Sequence, residues 1–124
     1  MSPAGEFFCP DEAEEYWFEE GCHVLELLND PRDPALSIAR ARVPAGGTTR
    51  WHRLAGTVER YLVQSGEGVV EVATAPPRRV LPGDLVLIPA GERQRIHNPG
   101  PDDLVFLALC TPRFEPANYV DDED

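Results

Sequence analysis

The chain contains no lysine, and its eleven basic residues are all arginines. That bias is as readily a matter of genome composition as of function. Cysteine is scarce: Cys9, Cys22 and Cys110 are an odd number without metal-type spacing, which implies no disulfide framework. Cys22 and Cys110 stand among apolar neighbours and read as buried small hydrophobes. No apolar run approaches the length of a membrane span, and the first ten residues lack the basic and apolar regions of a signal peptide. The expectation is a cytoplasmic protein with reduced thiols and no membrane partner.

Positive charge is also scarce. The formal net charge is −11, but the excess sits at the two ends. Residues 1–20 hold seven acids and residues 121–124 hold four, whereas the stretch between balances eleven acids against eleven arginines. No basic stripe is left to neutralise phosphates, so nucleic acid is not an expected partner. Residues 1–20 read as an acidic segment with a candidate edge strand at Tyr16-Trp17-Phe18, residues 21–120 as one domain, and residues 121–124 as a solvated acidic tail.

What the chain has in quantity is punctuation. Thirteen prolines and ten glycines in 124 residues leave segments too short for long helices and suit many strands joined by tight turns. Residues 22–28, 35–43, 68–73, 85–88, 93–98 and 104–110 each read as a strand, and residues 111–119, with two prolines, as an outer clasp. Eight to ten short strands are the pattern of an antiparallel sandwich or barrel, though periodicity alone does not separate a jelly roll from an immunoglobulin-like sandwich.

Residues 46–66 organise the rest. Two short strands flank a connection at 54–57, and alternation puts His52 and Leu54 on one face. Glu59, Tyr61 and Val63 share a face after the turn. If the two strands pair as a hairpin, His52 and Glu59 meet on one side of a sheet, with Arg50 two residues from His52. An imidazole facing a carboxylate inside a barrel is a metal site or a proton-transfer pair.

Two blocks carry a more specific pattern. Gly46, His52, Glu59 and Gly66 fit G-x5-H-x-H-x3/4-E-x6-G, with Leu54 at the second histidine position. Gly83, Pro89, Gly91 and Asn98 fit G-x5-P-x-G-x2-H-x3-N, with Gln94 at the histidine position. On these residues, from Gly46 to Asn98, the chain resembles the cupin family, as a small single-domain member with two metal-ligand positions substituted. The resemblance implies an all-β fold, an antiparallel jelly-roll barrel. It also implies a divalent transition metal (iron, manganese, nickel or zinc), held by three histidines and a glutamate in typical members.

Three alternatives follow for the site. In the first, His52, Glu59 and Gln94 bind a metal that serves oxygenation or isomerisation of a small polar or anionic compound. His97 could replace Gln94 only through a bulge, because alternation turns it outward. In the second the protein is metal-free: Glu59 orients His52 as general acid or base, Tyr61 supplies a proton, and Arg50 and Gln94 bind substrate. Metal-independent sugar epimerases of similar barrel shape work this way. In the third the pocket is a degenerate, metal-free site in a ligand-binding or structural module. Small cupins commonly pair, so a homodimer is implied, with Tyr16, Trp17, Phe18 and Trp51 as a candidate face.

Overall fold

The chain is described by a computed structural model covering residues 5–123; residues 1–4 and 124, from the two acidic ends, lie outside the described residues. The turns deliver what the prolines and glycines call for. Eleven strands form among the described residues: β1 (Tyr16–Phe18), β2 (Cys22–Leu28), β3 (Ser37–Val43), β4 (His52–Leu54), β5 (Val58–Ser65), β6 (Gly68–Val72), β7 (Arg78–Val80), β8 (Leu85–Ile88), β9 (Gln94–His97), β10 (Leu104–Thr111) and β11 (Tyr119–Asp121). All pairings are antiparallel. One sheet runs β1-β2-β3-β10-β5-β8 and the other β11-β4-β9-β6-β7. This is an all-β jelly-roll barrel, and the eleventh strand comes from the carboxyl end.

The core follows from alternation on both sheets. Val43, Ile96 and Leu104 are fully buried, and Ile88, Val63, Tyr61 and Phe106 nearly so. Burying each such aliphatic side chain contributes about 1.5–3 kcal/mol. Asn98, also fully buried, ties the loop after β9 to the barrel. Its amide donates to the carbonyls of Val43 and Asp102 at 2.9 and 2.8 Å, and its oxygen accepts from Gly100 N at 2.9 Å. It is a turn former, as its place beside Pro99 suggests.

Two expectations need correction. The strands flanking 54–57 do not pair as a hairpin: β4 lies between β11 and β9, and β5 between β10 and β8, so the connection crosses from one sheet to the other. Residues 121–123 are tied to the barrel, although Asp121 and Glu123 stay exposed. β11 pairs with β4, Asp121 and Asp122 bind Arg50 and Arg93, and Glu123 accepts from Trp51 N. The amino-terminal acids are likewise engaged. A 3-10 turn at Glu12–Glu14 precedes the edge strand, and Glu12 and Glu15 bind Arg40 and Arg42 on β3. Hydrogen bonds from Arg42 and Arg40 hold the Glu15 carboxyl down near 2 against burial.

One motif glycine is fixed by space as well as by backbone. Gly66 has φ +78, and a Cβ there would stand 2.5 Å from the Asp103 carbonyl oxygen. Gly83 has φ +91 with nothing within 4 Å of a Cβ. Gly66→Ala is expected to cost about 2 kcal/mol or more in urea unfolding, and Gly83→Ala about 1 kcal/mol. Equal costs at the two positions would show that the close approach at Gly66 is unimportant.

Candidate functional site

Between the sheets, at the end covered by the carboxyl-terminal segment, lies a cavity of about 290 Å³. Its walls are largely apolar, including Phe18, Val24, Leu54, Phe106 and Phe114, and its polar groups converge at His52. Residues 111–119, expected as an outer clasp, contribute Phe114, Pro116 and Tyr119 to its lining. Tyr119 stacks on His52 with ring centroids 5.3 Å apart and planes 16° from parallel.

His52, on β4, is 1% exposed, and both its ring nitrogens are engaged. Nδ1 lies 2.8 Å from the Arg50 carbonyl oxygen, which can only accept, so Nδ1 carries a proton. Nε2 lies 2.9 Å from Oε1 of Glu20. Glu20 sits in the turn between β1 and β2, just before Gly21, whose φ of +114 helps reverse the chain. Its second oxygen accepts from the Cys22 thiol at 3.4 Å. Burial alone pushes the imidazole down, but the Glu20 charge and hydrogen bond, with the Arg50 carbonyl, outweigh it and carry His52 up to about 9. At neutral pH this is a buried imidazolium–carboxylate pair.

Glu59, on β5, is the opposite case. It is 8% exposed, and its Oε1 finds no hydrogen-bond partner among the described residues. Burial and the Glu20 charge push its carboxyl up to about 7, while His52 and a hydrogen bond from Gln94 hold it back. Gln94, on β9 and paired in register with His52, is oriented in turn by Tyr61, whose hydroxyl donates to its amide oxygen. Burial keeps the Tyr61 phenol far above its ordinary range.

The structure therefore brings together His52, Glu59, Tyr61 and Gln94 and leaves Arg50 apart. Arg50 does not line the cavity; its Nε binds Asp121 at 3.1 Å in a second depression beside Glu20 and Tyr119. His97 also points away, to Thr48. Trp51 packs against Arg93 and Arg95, with guanidinium carbons 4.0 and 4.4 Å from its ring centroid. Glu20 went unread in the sequence because it precedes a turn glycine. The available signal was parity: Tyr16, Phe18, Glu20, Cys22, Val24 and Glu26 all line the cavity, a period of two carried unbroken through the turn.

The residues present do not fit a transition metal. Both nitrogens of His52 bear or share protons, the Gln94 oxygen accepts from Tyr61, and Leu54 offers no donor. Of the oxygens in this cluster, only Glu59 Oε1 is buried with no hydrogen-bond partner among the described residues. Two imidazoles and a carboxylate, the set non-haem iron favours, are not available here. Among the described residues no group of three or more histidine, cysteine, aspartate or glutamate side chains gathers as metal ligands.

Comparison with known proteins agrees with the fold. A family model described as a cupin domain matches residues 39–110. An oxalate-binding protein from Thermotoga maritima is 34% identical over 71 residues; the match covers 57% of this chain and 58% of that relative, so the chain spans little more than half its length. The structure of KdgF from Halomonas superposes with a TM-score of 0.74 at 25% identity, over 88% of this chain and 96% of that one. Pac13, a nucleoside dehydratase from Streptomyces, gives 0.77 at 16% identity over 95% and 92%, a likeness of fold alone.

Both buried groups weaken the fold as pH rises. The raised value of His52 means its stabilisation is complete below about 6.5 and lost as pH rises through about 9. The raised value of Glu59 means its burial opposes folding increasingly from about 4.5 to 7. Unfolding free energy should therefore decline from about pH 5 to 9. In Glu20→Gln the His52 titration, followed by NMR, should fall by at least about one unit; an unchanged titration would remove Glu20 as the cause.

Proposed function

The chain belongs to the cupin domain family, whose model matches residues 39–110, and we propose that it is a small-molecule cupin whose barrel interior transfers a proton without a metal. The observation that carries this is the Glu20–His52 pair beside Glu59, which lines the cavity and whose buried Oε1 has no partner among the described residues.

The roles expected of His52 and Glu59 are exchanged. His52 has no free nitrogen with which to accept a proton, because Nδ1 donates to the Arg50 carbonyl and Nε2 is held by Glu20. It is a fixed positive charge, and Glu20, not Glu59, orients it. Glu59 is the group able to give or take a proton at a substrate atom, and a value of about 7 suits it to do either near neutral pH. The imidazolium stabilises the Glu59 carboxylate once its proton is gone. Gln94 fixes the other carboxylate oxygen and Tyr61 fixes Gln94, so both are positioning residues. Isomerisation or dehydration of a small compound is the reaction class such a group supports.

The metal-dependent oxygenase or isomerase implied by typical family members fits less well, since the donors at His52 and Gln94 are already engaged. A non-catalytic binding module draws support from the largely apolar walls of the cavity. A cytoplasmic location belongs to the same proposal, in keeping with free thiols at Cys9, Cys22 and Cys110.

A homodimer is proposed through the outer face of the six-stranded sheet, in place of the aromatic face expected from the sequence. Leu107, Leu62 and Leu85 lie in one row across β10, β5 and β8, and Leu85 and Leu87 are each 59% exposed. Burying such an apolar face is the usual drive for a stable pair.

Protein purified without affinity resin or chelator is expected to carry far less than one equivalent of metal, and chelator should leave its melting temperature unchanged. Stoichiometric metal lost on His52→Ala would sink the metal-free mechanism. Deuterium wash-in from heavy water, followed by NMR over a panel of small carbonyl compounds, should identify a substrate, with Glu59→Gln slowing exchange by about 10²–10⁴-fold. Wash-in unaffected by that substitution would leave the binding module standing. In sedimentation, the wild type should run as a dimer and the Leu85→Glu, Leu87→Glu double variant as a monomer; a monomeric wild type would exclude this face.

A further inference from the structure

The charge facing the cavity is unevenly distributed. Among the described residues that line it, Glu20, Glu26 and Glu59 are acidic, His52 is cationic, and none is arginine or lysine. Glu20 and His52 neutralise one another at 2.9 Å. Glu59, buried, and Glu26, exposed, are left to set the sign. Arg50, the nearest candidate counter-charge by sequence, is bound to Asp121 outside these walls.

Hydrogen-bonding capacity points the same way. The unmet group is an acceptor, Oε1 of Glu59, whereas the N–H donors of His52 are committed to Arg50 O and Glu20. An incoming carboxylate would find the Glu59 acceptor near it and the imidazole donors already engaged. An incoming N–H group would satisfy the orphaned oxygen. The same cavity is lined by the rings of Tyr16, Phe18, Phe114 and Tyr119, whose faces attract cations and flat apolar bodies alike.

We propose that the barrel cavity takes a small organic ammonium carrying a flat apolar body, seated with its N–H donors on the free oxygen of Glu59. The inference rests on the same cavity as the proton-transfer site and names its substrate class. It separates this chain from the relative named for oxalate binding, because the one cation among the described lining residues, His52, is already paired with Glu20. The exposed Glu26 carboxylate attracts the ammonium, Glu59 receives it, and the aromatic walls cover its apolar portion. The bound cation offsets the excess negative charge that the protein itself leaves in the cavity.

The test is calorimetric titration of the whole wild-type chain at pH 7 with benzylamine, benzyl alcohol, benzoate and oxalate, alongside NMR of the His52 ring. These probes hold the size of the apolar body nearly constant while the charge changes from cation to neutral to anion, with oxalate as the small dianion. Benzylamine should bind at least about tenfold tighter than benzyl alcohol, and benzoate and oxalate more weakly still. Glu59→Gln should erase most of the preference for amine over alcohol. Benzoate or oxalate binding as tightly as benzylamine overturns the inference, as does an amine preference that survives in Glu59→Gln. If that variant does not fold, the order among the four probes on the wild type decides alone. Movement of the His52 resonances by any ring compound, whatever the order, upholds the cavity as the site; no movement with any probe removes both the site and its cation preference.

Discussion

The arrangement of the barrel interior depends on one buried ion pair, His52 with Glu20. Two charges taken out of water lose several kcal/mol of hydration each, and their attraction offsets this only where geometry and further hydrogen bonds are good. Those supports are present. The Arg50 carbonyl takes the second imidazole proton, the Cys22 thiol donates to the second carboxylate oxygen, and Tyr119 covers the imidazole face. Each comes from a different part of the chain, so the pair couples the β1–β2 turn, the start of β4 and the carboxyl-terminal strand.

That coupling also explains how the two atypical positions work together. Leu54 adds apolar wall where a typical family member places an imidazole. Gln94 joins Tyr61 to Glu59 as an amide bridge, accepting from one and donating to the other. The polar groups thereby satisfy one another, with the single exception of Glu59 Oε1. A buried acceptor left in this state costs free energy unless a proton or a ligand meets it.

Much of this was legible in the residues. The turn glycines and prolines marked the strand boundaries, alternation placed Ile96 and Gln94 inward and Arg93 and Arg95 outward, and the two spaced blocks led to the jelly roll. Inward placement of His52, Glu59 and Tyr61 was legible too, though their pairing as one hairpin was not. A turn of four residues looks the same whether it joins neighbours in one sheet or carries the chain to the facing sheet. The acidic ends were legible as charge but not as structure, because their partners, Arg40, Arg42, Arg50 and Arg93, lie far along the chain.

By itself the sequence determined the strand pattern, the barrel and the identity of most inward side chains, since these depend on turns and on a period of two, both local properties. Only the tertiary structure decided that Glu20 would meet His52, that Arg50 would turn to Asp121, and that Glu59 would be left with a free oxygen. These depend on which distant segments close over one another, and hydrogen bonds and charges act through separations in space that spacing along the chain does not encode.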